Sequence, residues 1–246
     1  MEEKIYTKDR EIVIPGDLLA EGMDFLPAGK AFRESDKIYA STIGLVSIKG
    51  RVIKVIPLAG RYMPKVGDVI IGKVTGIGFS GWQVDIDSPY NADLNIGEAS
   101  QGYIDLGKTD MSKFFDIGDY LLGEIISITE SKFVKLTAKN RPYRRLRGGN
   151  VIQVSPSKIP RIIGKQGSMI NTLKKNSDCD VIVGQNGLVW IKGTPEKEAV
   201  VAQAIKLIET ESHKSGLTDR IKTMLEKIKP AQPSEPAKEE VKEGGQ

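Results

Sequence analysis

The chain has 246 residues, of which 39% are hydrophobic and 28% charged, with a net charge of +4. This composition suits one to three globular domains, and no apolar run approaches the ~18 residues of a membrane span. One cysteine, Cys179, and one histidine, His213, exclude an internal disulfide and leave almost no ligands for a zinc centre. The opening Met1-Glu2-Glu3-Lys4 lacks an apolar signal-peptide core, so a cytoplasmic location is expected.

Charge is distributed unevenly: +2 over residues 1–65, −5 over 66–140, +4 over 141–150, +5 over 151–229 and −2 over 230–246. The cations gather in the last third, where lysines and arginines would meet phosphates.

Residues 1–65 read as a small β-rich domain. Glu11 to Ile14 runs into Pro15-Gly16, and Lys37 to Val46 and Arg51 to Pro57 are β-branched runs bounded by glycines. A domain this small makes a marginal core, so it is expected to lean on a neighbour or a partner. Nothing in it suggests catalysis.

Residues 66–140 read as five strands: Asp68 to Thr75, Gly81 to Ile86, Ala92 to Ile96, Tyr120 to Ile128 and Phe133 to Thr137. Short strands with glycine-rich turns and no long helix predict a small barrel. Gly76 to Gly81 matches G-x-G-x-x-G, but a dinucleotide fingerprint needs a helix directly after it. Trp82 to Ile86 alternates with period two instead, so these glycines are read as a β-turn. Asp85 and Asp87 are no stronger as metal ligands, because no histidine, cysteine or third carboxylate gathers near them in sequence.

Residues 141–150, Arg141-Pro142-Tyr143-Arg144-Arg145-Leu146-Arg147-Gly148-Gly149-Asn150, read as an arginine-rich linker. Arg144 and Arg145 could contact RNA phosphates. Alternatively, the arginines pair with the acidic barrel, or the stretch is only a flexible tether.

Residues 151–229 hold the most informative motif. Val151 to Val154 reads as a strand, and Ile162-Ile163-Gly164-Lys165-Gln166-Gly167-Ser168-Met169-Ile170 as an apolar pair, a loop with glycine at both ends, and a helix start. Two glycines three apart allow a sharp turn and leave room for a close visitor. The N–H groups of the following helix suit phosphate. Asp180 to Gly184 and Leu188 to Lys192 form a hairpin around Asn186-Gly187, and a helix follows from about Pro195 to Ser212. Leu217 to Lys229 reads as a last amphipathic helix, and the tail 230–246, rich in Pro, Glu, Lys and Gly, as disordered.

This order of elements resembles a type I KH domain (βααββα), whose GxxG loop clamps nucleic-acid backbone. The resemblance implies RNA contacts at Arg161, Ile163, Gly164, Lys165, Gln166 and Gly167. The middle segment resembles an S-one-type OB fold through Gly67-Asp68…Gly72…Val74 and Gly81-Trp82-Gln83-Val84-Asp85. In such barrels, aromatics stack bases, which here implies Phe79, Trp82 and Tyr90. An acidic barrel is unusual for this task, and any basic patch in it would have to draw on residues such as Lys108, Lys113 or Lys132.

The fold expected is therefore multidomain, mainly β plus α/β: N-terminal β domain, S-one-type OB barrel, type I KH domain, C-terminal helix and tail. Together with Ile14 to Gly22, Ile159 to Gly164, Ser212 to Lys214 and Leu217 to Ile221, this arrangement resembles the archaeal exosome RNA-binding cap subunits of the ribosomal-RNA-processing protein four type. The resemblance implies a non-catalytic role without cofactor or metal. Three copies would dock through their N-terminal domains on a hexameric ring of RNase-PH-like subunits and pass single-stranded RNA to it. The alternative reading is a NusA-like transcription or translation factor, although those usually carry two KH domains.

Overall fold

The computed structural model describes residues 4–99, 111–139, 142–211 and 217–226. Lys108, Arg141, the 212–214 motif with His213, and residues 227–246 with the expected tail lie outside the described residues.

The N-terminal unit contains β1 (Lys4–Ile5), β2 (Ile12–Val13), β3 (Leu18–Glu21), β4 (Leu26–Gly29), β5 (Ala31–Glu34), β6 (Lys37–Ala40), β7 (Gly44–Lys49) and β8 (Val52–Pro57). They form two four-stranded sheets, ordered β1-β3-β6-β5 and β2-β7-β8-β4. The run from Lys37 to Val46 is therefore not one strand. It breaks at Ser41–Ile43, and its halves, β6 and β7, join different sheets. Val13, Leu19, Phe25, Ile38, Val46, Ile53 and Val55 close a core between the sheets.

The barrel follows as β9 (Val69–Ile77), β10 (Gly81–Asp85), β11 (Ala92–Asn95), the short helix α1 (Ile96–Ala99), β12 (Tyr120–Ile128) and β13 (Val134–Thr137). Antiparallel pairs β9–β10, β10–β11, β12–β13 and β12–β9, with the parallel pair β11–β13, close the ring. Closure leaves no unpaired edge among these five strands. The interior holds Ile70, Val74, Trp82, Val84, Leu94, Leu121, Ile125 and Leu136.

The arginine-rich stretch is not a free tether. Arg144–Leu146 is a strand, β14, that pairs antiparallel with Tyr120–Leu122 of β12. Tyr143 donates to Glu124 at 2.5 Å, and the Arg145 guanidinium meets Asp119 at 2.6 Å. The acidic barrel holds this strand by its own charges.

The last unit runs β15 (Asn150–Gln153), α2 (Ile159–Ile163), α3 (Ser168–Ser177), β16 (Asp180–Val183), β17 (Leu188–Lys192), α4 (Pro195–Thr210) and α5 (Leu217–Glu226). Its sheet, β15-β17-β16, is antiparallel throughout. Met169, Leu173 and Ser177 recur every fourth residue on α3 and are buried; they share a core with Val201, Ile205, Ile208, Leu217, Ile221 and Leu225.

The barrel packs on this unit through Ile71, Leu122, Leu146 and Trp190. The Asn186-Gly187 turn is more than a hairpin end. Asn186 is fully buried; its amide nitrogen donates to the carbonyls of Ile71 (2.7 Å) and Ile86 (2.9 Å), and its oxygen accepts from the Ile71 N–H (3.2 Å). Beside it, Gln185 exchanges two bonds with the backbone of Val69. The barrel and the last unit are therefore joined as one body. The Ser157 hydroxyl donates to the Leu58 carbonyl at 2.8 Å, which ties in the segment leaving the N-terminal unit.

Candidate nucleic-acid interface

The loop between α2 and α3 turns on three residues with positive φ: Gly164 (φ 74, ψ 174), Gln166 (φ 51) and Gly167 (φ 76). A Cβ on Gly164 would lie 2.8 Å from the Met169 nitrogen and 2.9 Å from its Cβ, whereas Gly167 has nothing nearer than 3.7 Å. Gly164 is therefore demanded by both conformation and space, and Gly167 by conformation alone. No side chain caps the N-terminus of α3, so its first N–H groups remain available to an anion.

Lys165 and Gln166 are exposed on this loop, and Arg161 is exposed in the last turn of α2. Ile163 is half-buried against the core, forming an apolar shoulder next to the polar loop. The sequence-predicted residues Arg161, Ile163, Gly164, Lys165, Gln166 and Gly167 thus occupy one continuous segment. The arrangement can hold a phosphate against backbone N–H groups and a cation, with a base on the apolar side.

The barrel aromatics divide. Phe79 sits in the β9–β10 turn and is 91% exposed. Trp82 is not available for stacking, contrary to the sequence expectation. It is 1% exposed, donates Nε1–H to the Phe115 carbonyl at 2.8 Å, and packs edge-on against Phe114 and Phe115. Alternation along β10 puts position 82 inside once Gln83 faces out. Tyr90 is half-buried against the barrel core, and its carbonyl accepts from Ser88.

The two arginines divide as well. Arg144 is exposed on β14, whereas Arg145 is committed to Asp119 and the Phe114 carbonyl. Arg145 is therefore a brace between strand and barrel rather than a phosphate contact. Its partner Asp119 stands far from it in sequence, so charge counting alone could not choose it.

Residues the sequence reading did not assign to the barrel surface are Gln83, Asp93, Asn95, Glu98, Ile126 and Lys135. With Phe79 they line a groove of about 580 Å³ on the outer face of β10, β11 and β13. Period-two alternation on β10 and β11 was the signal that could have found the first three.

The chain matches three family models in order. These are an exosome RNA binding protein RRP4 N-terminal domain (residues 10–59), an RRP4 S1 domain (61–127) and a KH domain (149–197). It is 49% identical over 225 residues to the exosome complex component Rrp4 of Pyrococcus furiosus, spanning 90% of this chain and 85% of that one. Against the Methanothermus fervidus Rrp4 it is 47% identical, over 90% and 97% of the two chains. A crystal structure of a candidate exosome complex RNA-binding protein superposes with a TM-score of 0.63 at 32% identity, over 68% of this chain and 97% of that one. Module order, S1 barrel, KH loop and length-wide identity agree: the chain belongs to the Rrp4 family of exosome complex components.

Proposed function

We propose that this protein is a non-catalytic RNA-binding cap subunit of a cytoplasmic exosome. In this reading three copies seat on an RNase-PH-like ring through their N-terminal domains, capture single-stranded RNA of many sequences and direct its 3′ end into the ring. The observation that carries the RNA-binding half is the α2–α3 loop: two glycines with positive φ, exposed Lys165 and Gln166 between them, and an uncapped helix start behind. Stacking and phosphate contacts of this kind tolerate any sequence, and display in three copies multiplies weak sites through effective concentration.

The docking half is supported by the outer face of the β2-β7-β8-β4 sheet. Ile12, Leu45 and Ile56 are direct cross-strand neighbours there, and Ile12, Ile14, Ile43 and Ile56 are 44–64% exposed. Such a patch marks an interaction surface.

The test has two arms. Tagged protein recovered from its native extract should bring down RNase-PH-like subunits in stoichiometric amount, and recovery of RNA polymerase instead would move the function to transcription. Replacing Lys165 and Gln166 by aspartates should weaken RNA binding by at least several-fold without unfolding the protein. Unchanged affinity would move the RNA site to the barrel.

A further inference from the structure

The groove on the barrel has an unusual polar rim for an RNA-binding surface. Phe79 stands at one end, 91% exposed, so its ring is free to carry a base on its face. Along the floor, Asp93 pairs with Gln83 on one side and with Lys135 on the other, placing three polar side chains in one row across the sheet. Glu98, half-buried after the α1 turn, closes the rim. The side chains of Asp93, Glu98 and Lys135 make no hydrogen bond or ion pair among the described residues. Two carboxylates and one ammonium group thus face a site sized for a base, with no protein partner.

We propose that this groove is a nucleobase subsite that prefers bases bearing an exocyclic amino group and disfavours uracil, with Asp93 and Glu98 as the specificity-determining residues. The inference rests on the RNA-binding reading above. A carboxylate only accepts hydrogen bonds. The exocyclic amines of adenine, cytosine and guanine donate to it, while Lys135 or Gln83 can donate to the neighbouring ring nitrogen or carbonyl. Uracil carries two exocyclic carbonyls and no amine. With two carboxylates against one lysine, at least one of its carbonyls meets a carboxylate oxygen. A lone acceptor pair is repulsive, and its cost is the penalty of leaving both groups unpaired. The acidity of the barrel, a liability for phosphate binding, becomes base selectivity.

The test is fluorescence anisotropy of the full chain with labelled oligo(A), oligo(C) and oligo(U) of equal length at one fixed salt concentration. Oligo(A) and oligo(C) should bind about fivefold more tightly than oligo(U). The Asp93→Asn, Glu98→Gln variant offers amide donors in the same shape. It should raise oligo(U) affinity selectively and bring the ratio to within about twofold. Glu130→Gln, which removes an exposed charge in the β12–β13 turn outside the groove, should raise all three affinities together. Equal binding of the three oligomers by the unaltered chain, or a ratio that survives in the double variant, overturns the proposal. Binding of none of them overturns the RNA-binding reading itself.

Discussion

Gly164 and Gly167 look interchangeable in a G-x-x-G pattern, yet their surroundings differ. Gly164 has φ 74 and ψ 174, a region open almost only to glycine, and no room for a Cβ beside Met169. Gly164→Ala should therefore cost roughly 2–4 kcal/mol, combining backbone strain with displacement of the α3 start. Gly167 is left-handed but spacious, so Gly167→Ala should cost only about 1 kcal/mol. Thermal unfolding of both variants checks the order. The same separation applies to the barrel aromatics. Trp82→Ala should destabilise by about 3–5 kcal/mol, whereas Phe79→Ala should leave the melting temperature unchanged and weaken RNA binding. At this scale the sequence announced residue types but not orientation. A tryptophan next to a glycine-rich turn reads equally well as platform or core, and only ring closure decided which face of β10 turned inward.

Among the elements, the β16–β17 hairpin and the β14 strand carry the consequences. The hairpin was legible from Asn186-Gly187 alone, but its role was not. Asn186 serves three backbone groups of the barrel that no other side chain reaches. Asn186→Ala should cost roughly 2–4 kcal/mol by stranding them, and urea unfolding should then resolve barrel and KH unit as separate transitions. A single unchanged transition would contradict that role. The β14 strand is held in part by the Tyr143 hydroxyl on Glu124, and this bond, with burial and the nearby carboxylate charge, raises the tyrosine pKa to about 12. A raised folded-state pKa means the stabilisation is complete below pH ~10, the unfolded value, and fades as pH climbs through about 12. Tyr143→Phe should therefore be less stable than the unaltered chain at pH 8, with the gap narrowing between pH 10 and 12 in denaturant titrations. The linker was misread as a tether because strand pairing depends on a partner, β12, whose edge the sequence does not show to be open.

At the scale of the whole molecule, two bodies differ in surface character. The barrel and KH unit are welded through buried contacts and present cations and Phe79, while the N-terminal sandwich presents aliphatic side chains. Ile12→Lys combined with Ile56→Lys should abolish recovery of ring subunits in the pull-down yet leave RNA affinity and the melting temperature intact, since both residues point outward. Retained recovery would move docking to another face.

Elements with strong local signals were readable from the chain alone. The barrel strand Tyr120–Ile128 matches its expected bounds, the α2–α3 loop stands where its glycines placed it, and the order of modules follows from turn residues and hydrophobic period. These properties depend on neighbours within a few residues. What only the tertiary structure decided depends on groups far apart in sequence: the pairing of Arg145 with Asp119, the burial of Trp82, the seating of Asn186 on Ile71 and Ile86, and the row of Gln83, Asp93 and Lys135 across three strands. Register and closure bring such groups together, and neither is encoded in any local window of the chain.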